Sequence, residues 1–399
     1  MEVAMSQNTL SATRQPNWAT PQTGLREIIR QFTPNWFTAT MGTGILALCL
    51  NQWPLPVPGL HAVAMVLWLF NICLFTAFTL LYAARWVMFF DGARRIFDHS
   101  VMSMFFGAIP MGLATIINGF LAFGIPLIGR DLAVGIAAPR WWIDMAMSLA
   151  CGLGVPFLMF TRHDHAMERM TAVWLLPIVA AEVAAASGAQ LIPYLSDPHT
   201  VLTVMMLCYA LWAFSVPLAL SVLVILFLRL VLHKLPPKDM AASGCLALGP
   251  IGTGALTLLL LGADAPHLAA SVGLPMLGPV AQGIGLIGGV ALWGYGVWWF
   301  ALAVLTTIRY LQGDGLPFNL GWWGFTFPLG VYTAATMAIA HQTGLTLFTV
   351  IGGALILLLA GLWLTVAFRT AMELIRGTLF VSPCLVRGSI PADFEVDVV

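Results

Sequence analysis

Long apolar stretches alternate with short polar ones along almost the whole chain. A helix needs about 20 apolar residues to cross the hydrocarbon core of a bilayer. Ten stretches approach or exceed that length. The pattern therefore predicts an all-α integral membrane protein with ten transmembrane helices, at residues 35–51, 61–84, 100–123, 141–161, 171–191, 200–230, 243–262, 279–308, 322–341 and 346–368.

The polar ends of the chain divide it into three parts. Residues 1–33 form an N-terminal segment, 34–376 the transmembrane domain and 377–399 a C-terminal tail. Leu25, Ile28 and Ile29 follow helical spacing, with Arg26 and Arg30 on the other side. This spacing fits a short helix lying at the membrane interface, and it fits a partly ordered tail equally well.

The positive charges indicate how the chain is oriented. With the N-terminus placed in the cytoplasm, 15 of the 17 Lys and Arg residues fall in segments on the inner side. Arg130 and Arg140 are the two on the outer side. Because positive residues concentrate in cytoplasmic loops, this asymmetry predicts an even number of spans. We expect a multi-pass protein of the plasma (inner) membrane with both termini in the cytoplasm.

Composition narrows the classes of function. The apolar fraction is 60%, the charged fraction is 9% and the net charge is zero, so the lipid bilayer is an expected partner and nucleic acid is not. The six cysteines are scattered without a C-x-x-C pair, so we expect no disulfide and no metal site. The sequence has no G-x-S-x-G or H-E-x-x-H motif and no pair of mid-membrane histidines for a haem. We therefore expect neither an enzyme nor a cofactor.

Prolines recur at the spacing of one helical hairpin. Intervals of 67 to 78 residues separate the prolines at or within spans one, three, five, seven and nine, and glycines lie near most of them. Internal repetition of this kind indicates a repeated architecture, here five hairpins around a central pore. The ordinary alternative is that proline and glycine are common in membrane helices. The hypothesis makes the following residues pore-lining kinks: Pro110, Pro177, Pro250, Pro328, Gly42, Gly44, Gly112, Gly252, Gly254 and Gly330.

The segment from Gly321 to Gly330 combines these features with two aromatic side chains. A proline inside a helix frees a backbone carbonyl, which in lipid must face protein or a water-filled cavity. Phe325 and Phe327 lie within one turn of Pro328. We interpret this segment as part of a path across the membrane, with a phenylalanine as a plug at its narrowest level.

Acidic residues inside predicted spans are functional candidates by default. Glu182, in the middle of span five, is a possible proton-coupling group; the alternative is that it faces a small water cavity or bonds to a neighbouring hydroxyl. Asp144 follows two tryptophans at the predicted outer end of span four, where capping of the helix is the better interpretation. No Lys or Arg lies deep in any span, which favours weak contact with a permeating anion.

The chain resembles the tellurite-resistance/dicarboxylate transporter family, which includes sulfite efflux pumps, malate permeases and slow-type anion channels. The resemblance covers nearly all ten spans, and the motifs that carry it are Pro34–Gly44, Pro110–Asn118, Trp141–Asp144, Leu235–Pro237, Leu248–Gly254 and Trp322–Gly330. It implies a homotrimer with one pore per subunit. It also implies a phenylalanine gate on the ninth helix, which Phe327 matches best and Phe325 second best.

The resemblance gives two substrates to choose between. The stretches 111–118, 141–144 and 249–254 are most similar to the sulfite efflux branch, and 170–177 is closer to the malate permeases. We expect a transporter of small anions, with sulfite export slightly ahead of C4-dicarboxylate transport, which could be proton-coupled. A non-transporting membrane sensor or scaffold is the further alternative, although the terminal segments are short for one.

Overall fold

All regular structure in the described residues is helical. The computed structural model describes residues 24–385 apart from 272, 314 and 381, and the side chains of these residues apart from 267 and 271. The α-helices are α1 (Leu25–Gln31), α2 (Phe37–Asn51), α3 (Leu60–Met88), α4 (Phe90–Ala93), α5 (Ala108–Gly119), α6 (Ile125–Ile128), α7 (Arg130–Thr161), α8 (Leu176–Leu191), α9 (Pro198–His233), α10 (Leu248–Ser271), α11 (Leu277–Leu311), α12 (Phe327–Thr343) and α13 (Thr346–Ile375).

Membrane-spanning length is reached by most of the predicted spans. Within the described residues, eight helical segments are long and apolar enough to cross a membrane. The other two predicted spans correspond to α2 and α12, which have 15 and 17 residues. Each falls short of the roughly 20 residues that cross a bilayer unaided. Both are buried along almost their whole length, so protein rather than lipid surrounds them.

Burial separates two sets of helices. In the segment Ala172–Tyr194, 94% of the most apolar stretch is buried inside the protein. In Leu60–Met88 the corresponding share is 17%. The inner helices, α2, α5, α8, α10 and α12, contact one another in sequence, and α12 closes the ring by contacting α2. The outer helices are α3, α7, α9, α11 and α13. Each packs against the inner helix that precedes it in the chain.

Each inner helix begins with a short 3₁₀ segment. The five segments are Pro34–Trp36, Met102–Gly107, Ala172–Leu175, Lys238–Ala247 and Leu320–Phe325. The repeated prolines lie at these junctions: Pro328 and Pro177 are the second residues of their α-helices, and Pro110 and Pro250 are the third. The expectation that these prolines kink the interior of their helices is therefore wrong, because they lie in the first turn. The first four N–H groups of a helix have no intrahelical acceptor, so a proline there breaks no bond.

Arg85 holds the two ends of the described chain against the bundle. Its guanidinium, buried near the end of α3, donates to the carbonyl oxygen of Phe32, to that of Gly92 at 3.4 Å and to Ser382 Oγ at 3.3 Å. Beside it, the ring of Phe380 stacks on Trp36 with centroids 5.1 Å apart. Neutral oxygens supply these three acceptors, and Arg85 Nε has no hydrogen-bond partner among the described residues.

Candidate functional site

A cavity of about 430 Å³ lies inside the ring of inner helices. All five inner helices contribute to its wall. A ring of five helical hairpins would produce a central cavity of this kind. The lining residues are Ile45, Leu48, Asn51, Gln52, Ala114, Thr115, Asn118, Ala122, Val183, Ala186, Gln190, Thr253, Leu256, Leu260, Ala263, Phe327, Val331, Ala334, Ala338, His341 and Gln342.

Phe327 and His341 mark the two ends of this cavity along α12. Phe327 is the first residue of the helix and is 3% exposed, whereas His341 lies in the last turn and is exposed. At 1.5 Å per residue, the 14 steps from Phe327 to His341 span about 21 Å. The cavity therefore runs along most of α12, with an aromatic side chain at the buried end and the polar groups of Gln52, Gln190 and His341 at the other.

The cavity wall is polar in places but carries no formal charge of Lys, Arg, Asp or Glu among the described residues. Thr115 uses its hydroxyl within the protein, donating to Gly112 O at 2.8 Å and accepting from Asn71 Nδ2 at 3.1 Å. Asn118 Oδ1 and Thr253 Oγ1 are buried and have no hydrogen-bond partner in the described part of the chain. A surface of this kind favours weak binding of an anion by dipoles.

Phe325, the second gate candidate, faces a different space. It lines an almost wholly apolar cavity of about 350 Å³ between α11 and α13, on the side of the ring away from the central cavity. The ring of Trp322 packs against the ring of Phe325, with ring centroids 6.0 Å apart. Of the two phenylalanines, Phe327 is the one that reaches the central cavity.

None of the predicted pore-lining glycines and prolines is among the described residues that line the central cavity. The glycines lie where neighbouring helices approach. A Cβ on Gly252 would lie 2.6 Å from Tyr332 N, and one on Gly44 would lie 2.0 Å from Thr115 Oγ1. A Cβ on Gly42, Gly112 or Gly330 would be similarly close to a neighbouring side chain. A Cβ on Gly254 would lie 3.1 Å from Val216. These glycines allow close packing of the ring, and bulkier side chains form the wall.

Glu182 lies beside the central cavity without lining it. Its residue is fully buried on α8, one position before the cavity-lining Val183. Ser215 lies next to the carboxyl group but donates its hydroxyl to Ile178 O at 2.8 Å. Neither carboxyl oxygen has a hydrogen-bond partner among the described residues. The sequence located this unusual group correctly, and the structure places it between helices.

Asp144 is not a helix cap, contrary to the interpretation from the sequence. Helix α7 begins at Arg130, four turns before Asp144, because the apolar run continues upstream of the two tryptophans. Asp144 lies on the buried face of α7 with Trp141, whose indole donates to Ala184 O at 2.8 Å. The carboxyl oxygens of Asp144 have no hydrogen-bond partner in the described residues.

Titratable side chains gather at the end of the bundle where the inner helices begin. His99 Nδ1 accepts from the backbone N–H groups of Val101 and Met102, both at 3.2 Å, just before α5 and its 3₁₀ segment. Burial, and then the neighbouring His163, lower the pKa of His99 below its ordinary value. The neutral ring that these bonds require is thereby favoured.

Comparison with known proteins adds to this geometry. Residues 31–371 match the SLAC1 family, described as voltage-dependent anion channels. The chain belongs to this family. The match covers the five inner and five outer helices apart from the last four residues of α13. It confirms the predicted resemblance, because the relatives of this SLAC1-family chain include the transporters that the resemblance named.

Three relatives illustrate the range of sequence identity within this group of similar proteins. The sulfite efflux pump of Arthroderma otae is 38% identical over 357 residues, which are 88% of this chain and 93% of the relative. An uncharacterized transporter of Methanocaldococcus jannaschii is 30% identical over 354 residues, 89% of this chain and 96% of the relative. The malic acid transport protein of Schizosaccharomyces pombe is 21% identical over 362 residues, 88% of this chain and 80% of the relative. This SLAC1-family chain is thus more similar to the sulfite pump, as the motifs predicted.

The sequence missed Asn118 as a site residue. It lies inside a motif that the sequence analysis used only to assign the family. A polar amide in an otherwise apolar span, one turn after Ala114, was the available signal. Gln190 and His341 lie near the C-terminal ends of α8 and α12, where a helix end facing water tolerates polar groups, so they gave no comparable signal.

Proposed function

We propose that this protein exports sulfite-type anions across the plasma membrane through a pore inside each subunit. The observation that carries the proposal is the cavity enclosed by all five inner helices, with Phe327 at its buried end. The similarity to sulfite efflux pumps over 88% of the chain supports the choice of anion. The plasma membrane is the compartment boundary at which export removes a toxic anion from the cell.

In this proposal the chain crosses the membrane ten times between residues 34 and 376. The helices α2 and α12 cross as short inner helices, since their 3₁₀ segments and the surrounding outer helices complete the span. The N-terminal segment and the C-terminal tail lie in the cytoplasm, in agreement with the distribution of Lys and Arg. The cavity then opens outward, and Phe327 closes it on the cytoplasmic side.

Transport in this proposal is channel-like. The wall offers hydroxyl and amide dipoles in place of the guanidinium or ammonium group that would bind a multivalent anion tightly. An anion that is held weakly can also leave quickly, which conduction requires. Phe327 has to move aside for the anion to pass, and it is the gate in this mechanism.

C4-dicarboxylate transport is the alternative that a specific observation favours. The relative from Schizosaccharomyces pombe is a malic acid transport protein, although its identity to this chain is lower, at 21%. In a proton-coupled version, Glu182 would take up and release the proton, because it is a buried carboxyl group next to the cavity wall.

Anion flux into liposomes that contain the purified protein tests the proposal. Sulfite and malate are compared under an imposed voltage and, separately, under an imposed pH gradient. We expect voltage-driven sulfite flux and little malate flux. Malate flux that requires a pH gradient would replace the proposal with the coupled carrier, and flux of neither anion through a protein with Phe327 replaced by alanine would overturn both.

A further inference from the structure

Asn118 and Thr253 combine two properties: each lines the central cavity, and each has a buried oxygen without a hydrogen-bond partner in the described part of the chain. The two residues are 8% and 1% exposed, and the oxygens are Asn118 Oδ1 and Thr253 Oγ1. Nearby threonines bond within their own helices: Thr333 donates to Leu329 O at 2.7 Å, and Thr257 to Thr253 O at 2.8 Å.

An unpaired buried polar group destabilises a protein unless something else supplies its partner. Asn118 and Thr253 come from different inner helices, α5 and α10, so their positions are set by the closure of the ring. Thr253 is the first residue of α10 to line the cavity, as Phe327 is the first of α12. On α5, Ala114 and Thr115 line the cavity before Asn118, which lies about one helical turn farther along the wall. Both polar side chains therefore line the cavity between its Phe327 end and its His341 end.

We propose that Asn118 and Thr253 form a resting site for one monovalent oxyanion in the central cavity, between Phe327 and His341. The identity of that anion, hydrogen sulfite, rests on the proposed function. The Asn118 amide N–H group and the Thr253 hydroxyl donate to the oxygens of the anion. The unpaired Asn118 Oδ1 accepts a hydrogen bond from the hydroxyl of the S–OH form of hydrogen sulfite, a bond that chloride and the sulfite dianion do not offer.

The charge of the site selects the monovalent form. No Lys or Arg lines the cavity in the described residues, so the donors are neutral dipoles. The cost of removing an ion from water rises with the square of its charge, and two neutral donors offset a smaller share of that cost for a dianion. Sulfite dianion and malate dianion are thus both disfavoured at this site, and the pH of the solution sets how much of the preferred species is present.

Ligand-induced stabilisation of the full-length protein in detergent tests the site without requiring transport. The unfolding temperature is followed against sodium sulfite concentration at pH 6 and pH 8, with chloride and malate at the same ionic strength as comparators. For the wild type we expect sulfite to stabilise at a lower concentration at pH 6 than at pH 8, since hydrogen sulfite is more abundant there. We expect chloride and malate to stabilise less.

Isosteric variants identify the residues. Thr253→Val and Asn118→Leu should raise the half-saturating sulfite concentration by about tenfold each, which is ~1.4 kcal/mol. Thr333→Val is the matched control, because its hydroxyl is buried but bonded within its own helix, and we expect wild-type binding. Thr253→Ser keeps the hydroxyl and should also bind as the wild type does, which separates a lost donor from disturbed folding.

The outcomes separate this inference from the proposed function. No stabilisation of the wild type by sulfite, equal stabilisation by malate, or unchanged binding in both Thr253→Val and Asn118→Leu overturns the resting site. Sulfite flux in liposomes with any of these results leaves the export proposal standing. Saturable binding that the variants lose, together with absent flux, supports the site and contradicts export.

Discussion

Phe327 and Phe325 are two positions apart, and their side chains face different spaces. Phe327→Ala opens the buried end of the central cavity, so we expect anion conductance in planar bilayers to rise about tenfold or more, corresponding to ~1.4 kcal/mol removed from the barrier. Phe325→Ala is the matched control, since that ring lines the apolar cavity between α11 and α13. An increase with Phe325→Ala and none with Phe327→Ala would assign the gate to Phe325.

Glu182→Gln tests proton coupling at nearly constant side-chain volume. We expect the pH profile of anion flux to match the wild type, because the Glu182 carboxyl is enclosed between helices and does not line the cavity. Asp144→Asn is the control, as it also removes a buried carboxyl without hydrogen-bond partners among the described residues. A flattened pH profile in Glu182→Gln alone would make Glu182 the coupling group and favour the dicarboxylate carrier.

Gly252 and Gly249 lie on the same helix, α10, but only Gly252 is packed closely against a neighbouring helix. A Cβ on Gly252 would lie 2.6 Å from the backbone nitrogen of Tyr332, which cannot move without displacing α12. We expect Gly252→Ala to destabilise the protein by about 1–3 kcal/mol, measured by thermal unfolding in detergent. Gly249→Ala meets no atom within 4 Å and should unfold as the wild type does. Equal unfolding temperatures for the two variants would contradict this account of the ring.

His99 makes the start of the α5 segment sensitive to acid. Its Nδ1 accepts from two backbone N–H groups, and protonation turns that nitrogen into a donor. Burial first, and then His163, lower the pKa of His99 in the folded protein, so the unfolded chain binds more protons as the pH falls through and below the ordinary value of 6.5. The stability contributed by His99 is therefore present above that value and is lost as the pH falls through the lowered pKa.

His99→Asn tests this element because an amide oxygen can accept the same bonds and does not titrate. We expect the unfolding temperature of the variant to fall less than that of the wild type between pH 8 and pH 5. Other titratable and charged groups surround His99, and they are the same in both proteins: Asp98, His163, Asp164, His165, Glu168, Arg169, Arg229 and Asp239. An identical pH dependence of the two proteins would contradict the role of His99.

At the scale of elements, sequence predicted the helices better than it predicted the roles of residues within them. Apolar length decides whether a segment is a membrane helix, and that property is local. The position of Pro328 within its helix depends on where the 3₁₀ segment ends, and the role of Asp144 depends on where α7 begins, four turns upstream of it. Phe327 was a good candidate because its side chain and the adjacent proline are both unusual in sequence. Asn118 was missed because its significance appears only when α5 and α10 face one cavity.

For the whole molecule, the closed ring of inner helices decides where a pore can lie. Helix α12 contacts α2, so the cavity is enclosed by a single chain. The resemblance implies a homotrimer, and under the proposed function a trimer of such chains would contain one pore per subunit. A pore on the threefold axis would instead be lined by the outer helices, whose exposed side chains are mainly apolar.

Mixed trimers of wild-type and Phe327→Ala subunits distinguish these arrangements. If each subunit conducts independently, single-channel recordings should show conductance levels that are sums of wild-type and variant levels, in proportion to the number of variant subunits. The gate of one subunit should not alter the level of its neighbours, because Phe327 is surrounded by helices of its own chain. A single level that changes for the whole assembly when one variant subunit is present would place the conducting path between subunits and would overturn the pore within each chain.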